Sequence, residues 1–369
     1  MLRRLTLGLV GLSLAAAFAA CSSNDSSTLL NNGLGIGPNF TANTVYAAIA
    51  STNAISIYPA PITNGASASY QIGGATTTMV GPQYLAFDSA TNLWATNYVV
   101  GTGSSQVINF KALATGNVFP LQSFTYTAMG QPRGIAVGAN GNVAVAAVYA
   151  AAASPGLPSQ IQFFTTFDSG PTLPYRVISG SNTDLNVPSG IAYDSTGTLL
   201  YVANRQGASV EAFAFPTPSP VPSNTPSPTP SPTPNPSATP TATPTPLNIA
   251  FSNVAPLTLI SGSNTGLVSP SGVAVDATGQ VYVSDAGNAS VRVFASNANG
   301  NAVPTRVISG ALTLLQIPTD VKVDSSGLVY VADAGVGKIF VFASGATGNV
   351  APTMALNASV GIVGIGLLP

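Results

Sequence analysis

The sequence is short of the residues that most enzymes rely on. Among 369 residues there is no histidine, one cysteine and one glutamate. Histidine is the commonest general base and metal ligand near neutral pH, so its absence excludes the most frequent designs of hydrolytic and metal-dependent sites. A lone cysteine excludes an internal disulfide.

Charge is also scarce. Only 6% of the residues are charged, against roughly 25% in ordinary globular domains. With 10 Lys and Arg in the whole chain no basic patch is expected, which argues against nucleic acid as a partner. Yet 46% of the residues are hydrophobic, which predicts a well-packed core rather than disorder.

The stretch Pro270–Gly310 contains one complete structural unit. Asp276 and Gly279 stand first and fourth in a tight turn, where Asp caps the backbone and Gly tolerates positive φ. The turns separate four β-branched or aromatic-rich segments that predict strands. These are Gly272–Val275, Val281–Ser284, Ser290–Phe294 and Thr305–Ile308. Four antiparallel strands in about 40 residues are typical of one propeller blade.

The same unit recurs along the chain. Its opening returns at Pro82–Asp88, Pro132–Gly138, Pro188–Asp194 and Pro318–Asp324, and its last strand at Tyr175–Gly180 and Leu257–Gly262. The pattern P-x-G-[IV]-A-[VYF]-D, then L-Y-V-[AS]-[ND], then a tail ending in I-x-G, resembles the NHL repeat. The resemblance implies an all-β propeller but not its function, because propellers of this kind include enzymes, receptors and scaffolds.

The two ends of the chain indicate how the ring closes. Val45–Ala47, Ile55–Tyr58 and Tyr70–Gly74 match the second, third and fourth strands of a blade whose first strand is missing. Gly364–Leu367 matches a first strand with no blade after it. The prediction is therefore a six-bladed propeller of four-stranded antiparallel blades, closed by the C-terminal strand in the first blade.

Residues 1–21 have the features of a lipoprotein signal peptide. Arg3 and Arg4 precede an apolar run that ends in Phe18-Ala-Ala-Cys21, which resembles a bacterial lipobox with Phe in place of the usual Leu. An uncleaved anchor and a plain secretory signal are the alternatives. The prediction is a monomer exported to the bacterial cell envelope and held to the membrane by lipid on Cys21. In the lipoproteins that it resembles, Ser22 after the cysteine accompanies sorting to the outer membrane of Gram-negative cells.

Two further segments differ from the repeats. Residues 22–41 are polar and Gly-rich without periodicity, which predicts a flexible tether before the propeller of residues 42–369. Pro216–Pro246, rich in Pro, Ser and Thr, favours extended polyproline II. It reads as an insertion between the third and fourth strands of blade four, either a spacer, a glycosylated stalk or a wall-facing arm.

Amides and carboxylates stand at the ends of the second strands. They are Asn97, Asn204, Asp285 and Asp333, with Asp320 in place of Gly in an inner strand. Converging oxygen ligands could hold Ca²⁺; alternatively, each residue only caps its own turn. The candidate ligand-binding set adds Tyr98, Arg133 and Arg205 on the same face, and Tyr149 in the long loop Val148–Pro158, itself a pocket wall or a tolerated insertion.

Two functions follow from these residues. The first is a non-catalytic module that binds a protein, a glycan or a small ligand, with no catalytic residue and no cofactor. The second is a metal-dependent hydrolase or lactonase of the gluconolactonase type. Glu211, the only glutamate, lies in a predicted strand and matches no working Glu of such propellers. Asp88, Asp194, Asp276 and Asp324 lie at the opposite ends of the inner strands and are predicted to be structural.

Overall fold

A computed structural model describes residues 40–98, 105–149, 159–214 and 250–369. These residues form β-strands and five short 3-10 helices, with no α-helix among them. No helix of the described residues is long and apolar enough to cross a membrane. The predicted signal peptide with Cys21, the Pro216–Pro246 insertion and the loop after Tyr149 lie outside these ranges.

The strands follow one another with short connections. In chain order they are β1 (Val45–Ile49), β2 (Ala54–Tyr58), β3 (Tyr70–Gly73), β4 (Pro82–Phe87), β5 (Leu93–Tyr98), β6 (Ser105–Phe110), β7 (Gln122–Thr125), β8 (Gln131–Val137), β9 (Asn142–Val148), β10 (Gln160–Thr165), β11 (Gly170–Pro171), β12 (Arg176–Ile178), β13 (Pro188–Tyr193), β14 (Leu199–Asn204), β15 (Ser209–Ala214), β16 (Ala250–Ser252), β17 (Thr258–Ile260), β18 (Pro270–Val275), β19 (Val281–Asp285), β20 (Ser290–Phe294), β21 (Arg306–Ile308), β22 (Pro318–Val323), β23 (Val329–Asp333), β24 (Lys338–Phe342), β25 (Met354–Asn357) and β26 (Ile362–Leu367). The 3-10 helices are Ala50–Thr52, Ala75–Thr77, Ser181–Thr183, Ser263–Thr265 and Ala311–Thr313.

These strands form six sheets, one for each blade. From the inner to the outer strand, the antiparallel blades are β26-β1-β2-β3, β4-β5-β6-β7, β8-β9-β10-β12, β13-β14-β15-β17, β18-β19-β20-β21 and β22-β23-β24-β25. The predicted six-bladed propeller is confirmed. So is its closure, because β26 pairs with β1 through Val45 and Leu367. Predicted strand limits differ from the observed ones by two residues at most in the blade at Pro270–Gly310.

The hydrophobic core lies between the blades rather than inside one globule. Successive residues of a strand face opposite neighbours, so both faces of each blade are apolar. In β10, Ile161 and Phe163 pack toward the fourth blade and Phe164 packs toward the second. Six such clusters fill the six junctions around the ring.

The outer rim has a second set of contacts that joins neighbouring blades. In every blade, the connection from the third to the fourth strand pairs in parallel with the outermost strand of the preceding blade. The pairs are β11 with β7, β16 with β12, and the bridges Ile72–Gly116, Ile260–Gly300, Ile308–Gly348 and Ser67–Asn357. These six rim bridges cover outer strands that would otherwise present unpaired backbone groups.

An asparagine strengthens four of the rim bridges. Its side-chain oxygen accepts a backbone N–H from the 3-10 helix that follows the outer strand. The four pairs, with the backbone donor first, are Thr76 and Asn117 at 2.9 Å, Asn182 and Asn253 at 2.9 Å, Asn264 and Asn301 at 2.6 Å, and Leu312 and Asn349 at 2.7 Å. The recurring sequence [GS]-N-[VA]-x-P marks this contact, and it was not recognised in the sequence.

The structure describes the residues that border the two predicted non-repeat segments. Phe40, assigned to the tether, is 7% exposed and packs edge-on against Tyr46 and Tyr70, so the folded part includes Phe40. In blade four, β15 pairs directly with β17 although residues 215–249 lie between them in the chain. The connection therefore joins two adjacent strands of one blade.

The closing strand is expected to contribute much of the stability. Truncation after Ser359 removes Ile362, Ile365 and Leu368, all at most 5% exposed. Burial of each such side chain contributes about 1.5–3 kcal/mol, so we expect a loss of several kcal/mol. Chemical denaturation of the truncated chain measures it. Deletion of Pro216–Pro246 is the matched control and should change the midpoint little; equal damage from both deletions would contradict this topology.

Candidate functional site

The inner strands approach one another closely around the channel axis. One residue of each inner strand lies at this level: Tyr84, Gly134, Gly190, Gly272, Asp320 and Gly364. A Cβ atom added to Gly272 would lie 2.6 Å from the Cα of Asp320, and one added to Gly190 would lie 2.7 Å from the Cα of Gly272. Glycine is required at these positions because a side chain would separate neighbouring blades.

Tyr84 occupies the middle of the channel. Its hydroxyl lies 2.9 Å from the Ser189 hydroxyl and donates toward the carbonyls of Ser271 at 3.0 Å and Thr319 at 3.1 Å. A side chain from blade two therefore contacts blades four, five and six. Burial, and then the charge of Asp320, raise the pKa of Tyr84, which keeps the hydroxyl protonated. Tyr84 therefore divides the channel into two ends. We call them the linker face, where the inner strands begin, and the hairpin face, where the inner strands end.

Asp320, which is fully buried, forms an ion pair with the partly exposed Lys322 in the same strand. The Nζ atom of Lys322 lies 2.8 Å from Oδ2 and 3.0 Å from Oδ1 of Asp320. Backbone N–H groups of Val321 and Ile365 also donate to this carboxylate. Burial raises the pKa of Asp320, and Lys322 and these hydrogen bonds offset part of the rise. Asp320 is thus held on the axis and does not face the residues of the second-strand ends.

The carboxylates at the second-strand ends serve the linkers between blades. Asp285 is fully buried; its two oxygens accept the backbone N–H groups of Val268 and Ser269, each at 2.8 Å. Asp333 accepts those of Gln316 at 2.7 Å and Ile317 at 3.0 Å. Each Asp therefore fixes the linker that enters its own blade, and it also accepts an N–H group of its own turn, from Gly287 at 3.1 Å and Gly335 at 2.9 Å.

Asn97 and Asn204 occupy the same register with an amide instead of a carboxylate. Asn97 accepts the Val80 N–H at 2.7 Å, and Asn204 accepts the Asn186 N–H at 2.6 Å. Asn204 has a further role, because its Nδ2 donates to Oε1 of Glu211 at 2.6 Å. Glu211 is fully buried in β15, as predicted from its strand position, and burial raises its pKa to about 8.

The remaining predicted residues are divided among three places. Tyr98 and Arg133 line one cavity of about 260 Å³ with Gln83, Gln131 and Pro132. Arg205 is exposed and donates to the Ser269 hydroxyl at 3.1 Å. Tyr149 bonds to the Ala128 carbonyl and accepts from Gln162 at 3.0 Å, and burial raises its pKa to about 12.

The predicted set is therefore not one site. Of its nine members only Tyr98 and Arg133 share a described cavity. Within residues 40–98, 105–149, 159–214 and 250–369, no three His, Cys, Asp or Glu side chains are grouped so that they could hold a metal ion. Sequence reasoning missed Tyr84 and Lys322. The sequence does mark both positions, because Tyr84 stands where most inner strands have Gly and Lys322 stands where most have Ala.

The aspartates of the hairpin turns are structural. Asp276 accepts the backbone N–H of Thr278 at 2.8 Å and of Gln280 at 3.0 Å through one oxygen. Burial opposes ionisation of Asp276, but the hydrogen bonds outweigh it and lower its pKa. Asp88 and Asp324 hold their turns with the same contacts.

Comparison with known proteins agrees with this architecture. Residues 267–294 and 315–342 match the family model of the NHL repeat. With its six four-stranded blades, the chain is a six-bladed β-propeller that contains NHL repeats. A comparison with curated proteins finds no match.

Solved structures resemble the chain over most of its length. A chain of a nidogen/laminin complex has a TM-score of 0.58 at 15% identity and covers 88% of this chain and 98% of its own. Periplasmic gluconolactonase from Pseudomonas aeruginosa has 0.55 at 11% identity, with 89% and 99% covered. A protein of unknown function from Bacteroides caccae has 0.56 at 13%, with 89% and 99% covered. At these identities the likeness shows the fold alone.

The buried Glu211 predicts a pH-dependent stability. Its folded pKa of about 8 lies above the ordinary value of 4.5, so stability falls as pH rises from about 4.5 to 8, where only the unfolded chain ionises. Glu211→Gln should remove this fall and stabilise the protein at pH 7 by roughly 1–3 kcal/mol. Denaturant unfolding from pH 4.5 to 8.5 measures it. Lys111→Gln, which removes an exposed charge in blade two, is the control, and parallel pH profiles for Glu211→Gln and wild type would contradict the assignment.

Proposed function

We propose that the protein is an exported, lipid-anchored propeller that binds an anionic group of its ligand at the linker face without catalysing a reaction. One observation carries this proposal. Arg133 lines the cavity with Tyr98, and its Nε atom is buried without a hydrogen-bond partner among the described residues. An unpaired buried guanidinium nitrogen is costly unless an acceptor is supplied from outside.

The chemistry of the cavity favours an oxyanion. Arginine presents several N–H donors in a planar fork that matches carboxylate, sulfate or phosphate groups. The amides of Gln83 and Gln131 add neutral polar groups, and Tyr98 adds a ring that can pack against an apolar or sugar surface. Arg205 supplies a second, exposed positive charge on the same face. Arg133 and Arg205 therefore place two positive charges on this face.

The alternative is a metal-dependent hydrolase, which the name of the Pseudomonas aeruginosa neighbour suggests. That reaction needs a base of suitable pKa or a metal that generates hydroxide. The chain has no histidine, and the oxygens of Asp285 and Asp333 accept backbone hydrogen bonds. Releasing either carboxylate for a metal would break two hydrogen bonds that hold a linker. This cost supports the binding proposal over the hydrolase.

Binding is tested on the soluble chain without residues 1–21. Titration calorimetry with glucuronate, and with glucose as the neutral counterpart, should detect the acid preferentially, and added salt should weaken it. Arg133→Gln should weaken glucuronate binding at least tenfold, since a hydrogen bond to a charged group contributes about 1.5–3 kcal/mol. Lys111→Gln, which removes an exposed charge elsewhere, should leave it unchanged.

Two results would overturn the proposal. One is equal affinity for glucuronate in wild type and Arg133→Gln. The other is metal-dependent turnover of glucono-δ-lactone that is lost in Asp285→Asn or Asp333→Asn, which would favour the hydrolase.

The anchor is a separate prediction. Arg3, Arg4, the apolar run and Cys21 motivate lipid attachment. In a bacterial host, the wild-type chain should incorporate labelled palmitate and fractionate with membranes, whereas Cys21→Ser should remain unprocessed and unlabelled. Ser22→Ala keeps the cysteine and is the control. Processing and fractionation of Cys21→Ser like wild type would mean that the protein is not a lipoprotein.

A further inference from the structure

The hairpin face has a cavity of its own, on the other side of Tyr84 from the linker face. Its volume is about 410 Å³, within the range of small-molecule sites. It is lined by the ends of the inner strands, with the apolar side chains of Leu85, Phe87, Ile135 and Val275 on its wall and the polar turn residues Asp194, Ser195 and Thr196 beside them.

Two charged residues line this cavity: Asp194, whose carboxylate accepts the backbone N–H groups of Thr198 and Leu199 in its own turn, and Lys322. At the position of Lys322, four of the other five inner strands carry Ala and the remaining strand carries Gly366. Lys322 is thus a departure from the repeat, and so is Asp320, two residues before it, where the repeat has Gly. The two departures contact each other at 2.8 Å. Asp320 neutralises and positions the ammonium group, which would otherwise be costly so close to apolar surface.

The ammonium group retains a donor for a ligand. A lysine ammonium has three N–H donors. Its recorded hydrogen bonds are the two to Asp320, and the Lys322 side chain stays 24% exposed and lines the cavity. Among the described residues no other side chain accepts a hydrogen bond from it. One donor is therefore available at the inner end of an apolar cavity.

We infer that the hairpin-face cavity binds a small, mostly apolar molecule that carries one hydrogen-bond acceptor, an oxyanion or a carbonyl oxygen, received by Lys322. Apolar walls contribute the burial of the ligand body, and the single polar contact sets its orientation. The ion pair as a whole is neutral, so the site does not depend on a ligand charge. This site is independent of the Arg133 cavity.

The test uses 1-anilinonaphthalene-8-sulfonate, an apolar probe with one sulfonate, and follows its fluorescence with the soluble chain. We expect saturable binding at one site, competed by octanoate and not by glucuronate. Ala192→Trp places a large side chain in the cavity wall and should weaken probe binding at least tenfold. Ala277→Trp adds the same side chain to an exposed position on the same face and should not.

The polar contact is tested with the double variant Lys322→Met with Asp320→Asn, which removes the ammonium without leaving a buried charge unpaired. It should bind the probe about tenfold more weakly, and a melting curve shows that it is folded. This variant decides the matter if Ala192→Trp does not fold. Probe binding that does not saturate, or that is equally strong in Ala192→Trp or in the double variant, would overturn the inference. Because glucuronate is measured in the same samples, failure here is distinguishable from failure at Arg133.

Discussion

The whole structure depends on the hydrogen bonds between β26 and β1, which join the two ends of the chain in one blade. Each blade is apolar on both faces, so a blade without two neighbours would expose half of its core. Closing the ring covers the last two faces at once. The six rim bridges complement this closure at the outside, because each blade also holds the outermost strand of the blade before it. Every junction between blades is therefore held by backbone contacts as well as by side-chain packing.

Repetition has a different consequence at the axis. Six identical units bring the same residue of each repeat to one place, and six large side chains cannot share it. The chain resolves this conflict with glycine in four inner strands and a single tyrosine, whose hydroxyl contacts blades four to six. Departures from a repeat are therefore most informative where the repeats converge. Tyr84, Asp320 and Lys322 are such departures, and they determine the shape and polarity of the channel.

Strands and closure could be predicted from the sequence because both rest on local patterns: alternation, turn residues and a repeated register. The candidate site could not. Asn97, Asn204, Asp285 and Asp333 are indeed in one register, but a shared register does not mean a shared direction, and each side chain turns to the linker of its own blade. The rim asparagines have a clear sequence pattern, yet their partners belong to the preceding blade. Such contacts depend on the ring geometry, which no single repeat contains.

The scarcity of charge explains why the few charged groups matter. Most described carboxylates accept structural hydrogen bonds: Asp88, Asp276 and Asp324 in turns, and Asp285 and Asp333 at linkers. The residue at the end of the second strand is matched to the charge of its neighbour in the third strand. Asn204 stands beside Glu211, whereas Asp285 stands 3.9 Å from Arg292. Two adjacent buried carboxylates are thereby avoided. With these carboxylates occupied, Arg133 and Arg205 on the linker face and Lys322 on the hairpin face retain N–H groups that a ligand could accept from, and both binding proposals rest on these donors.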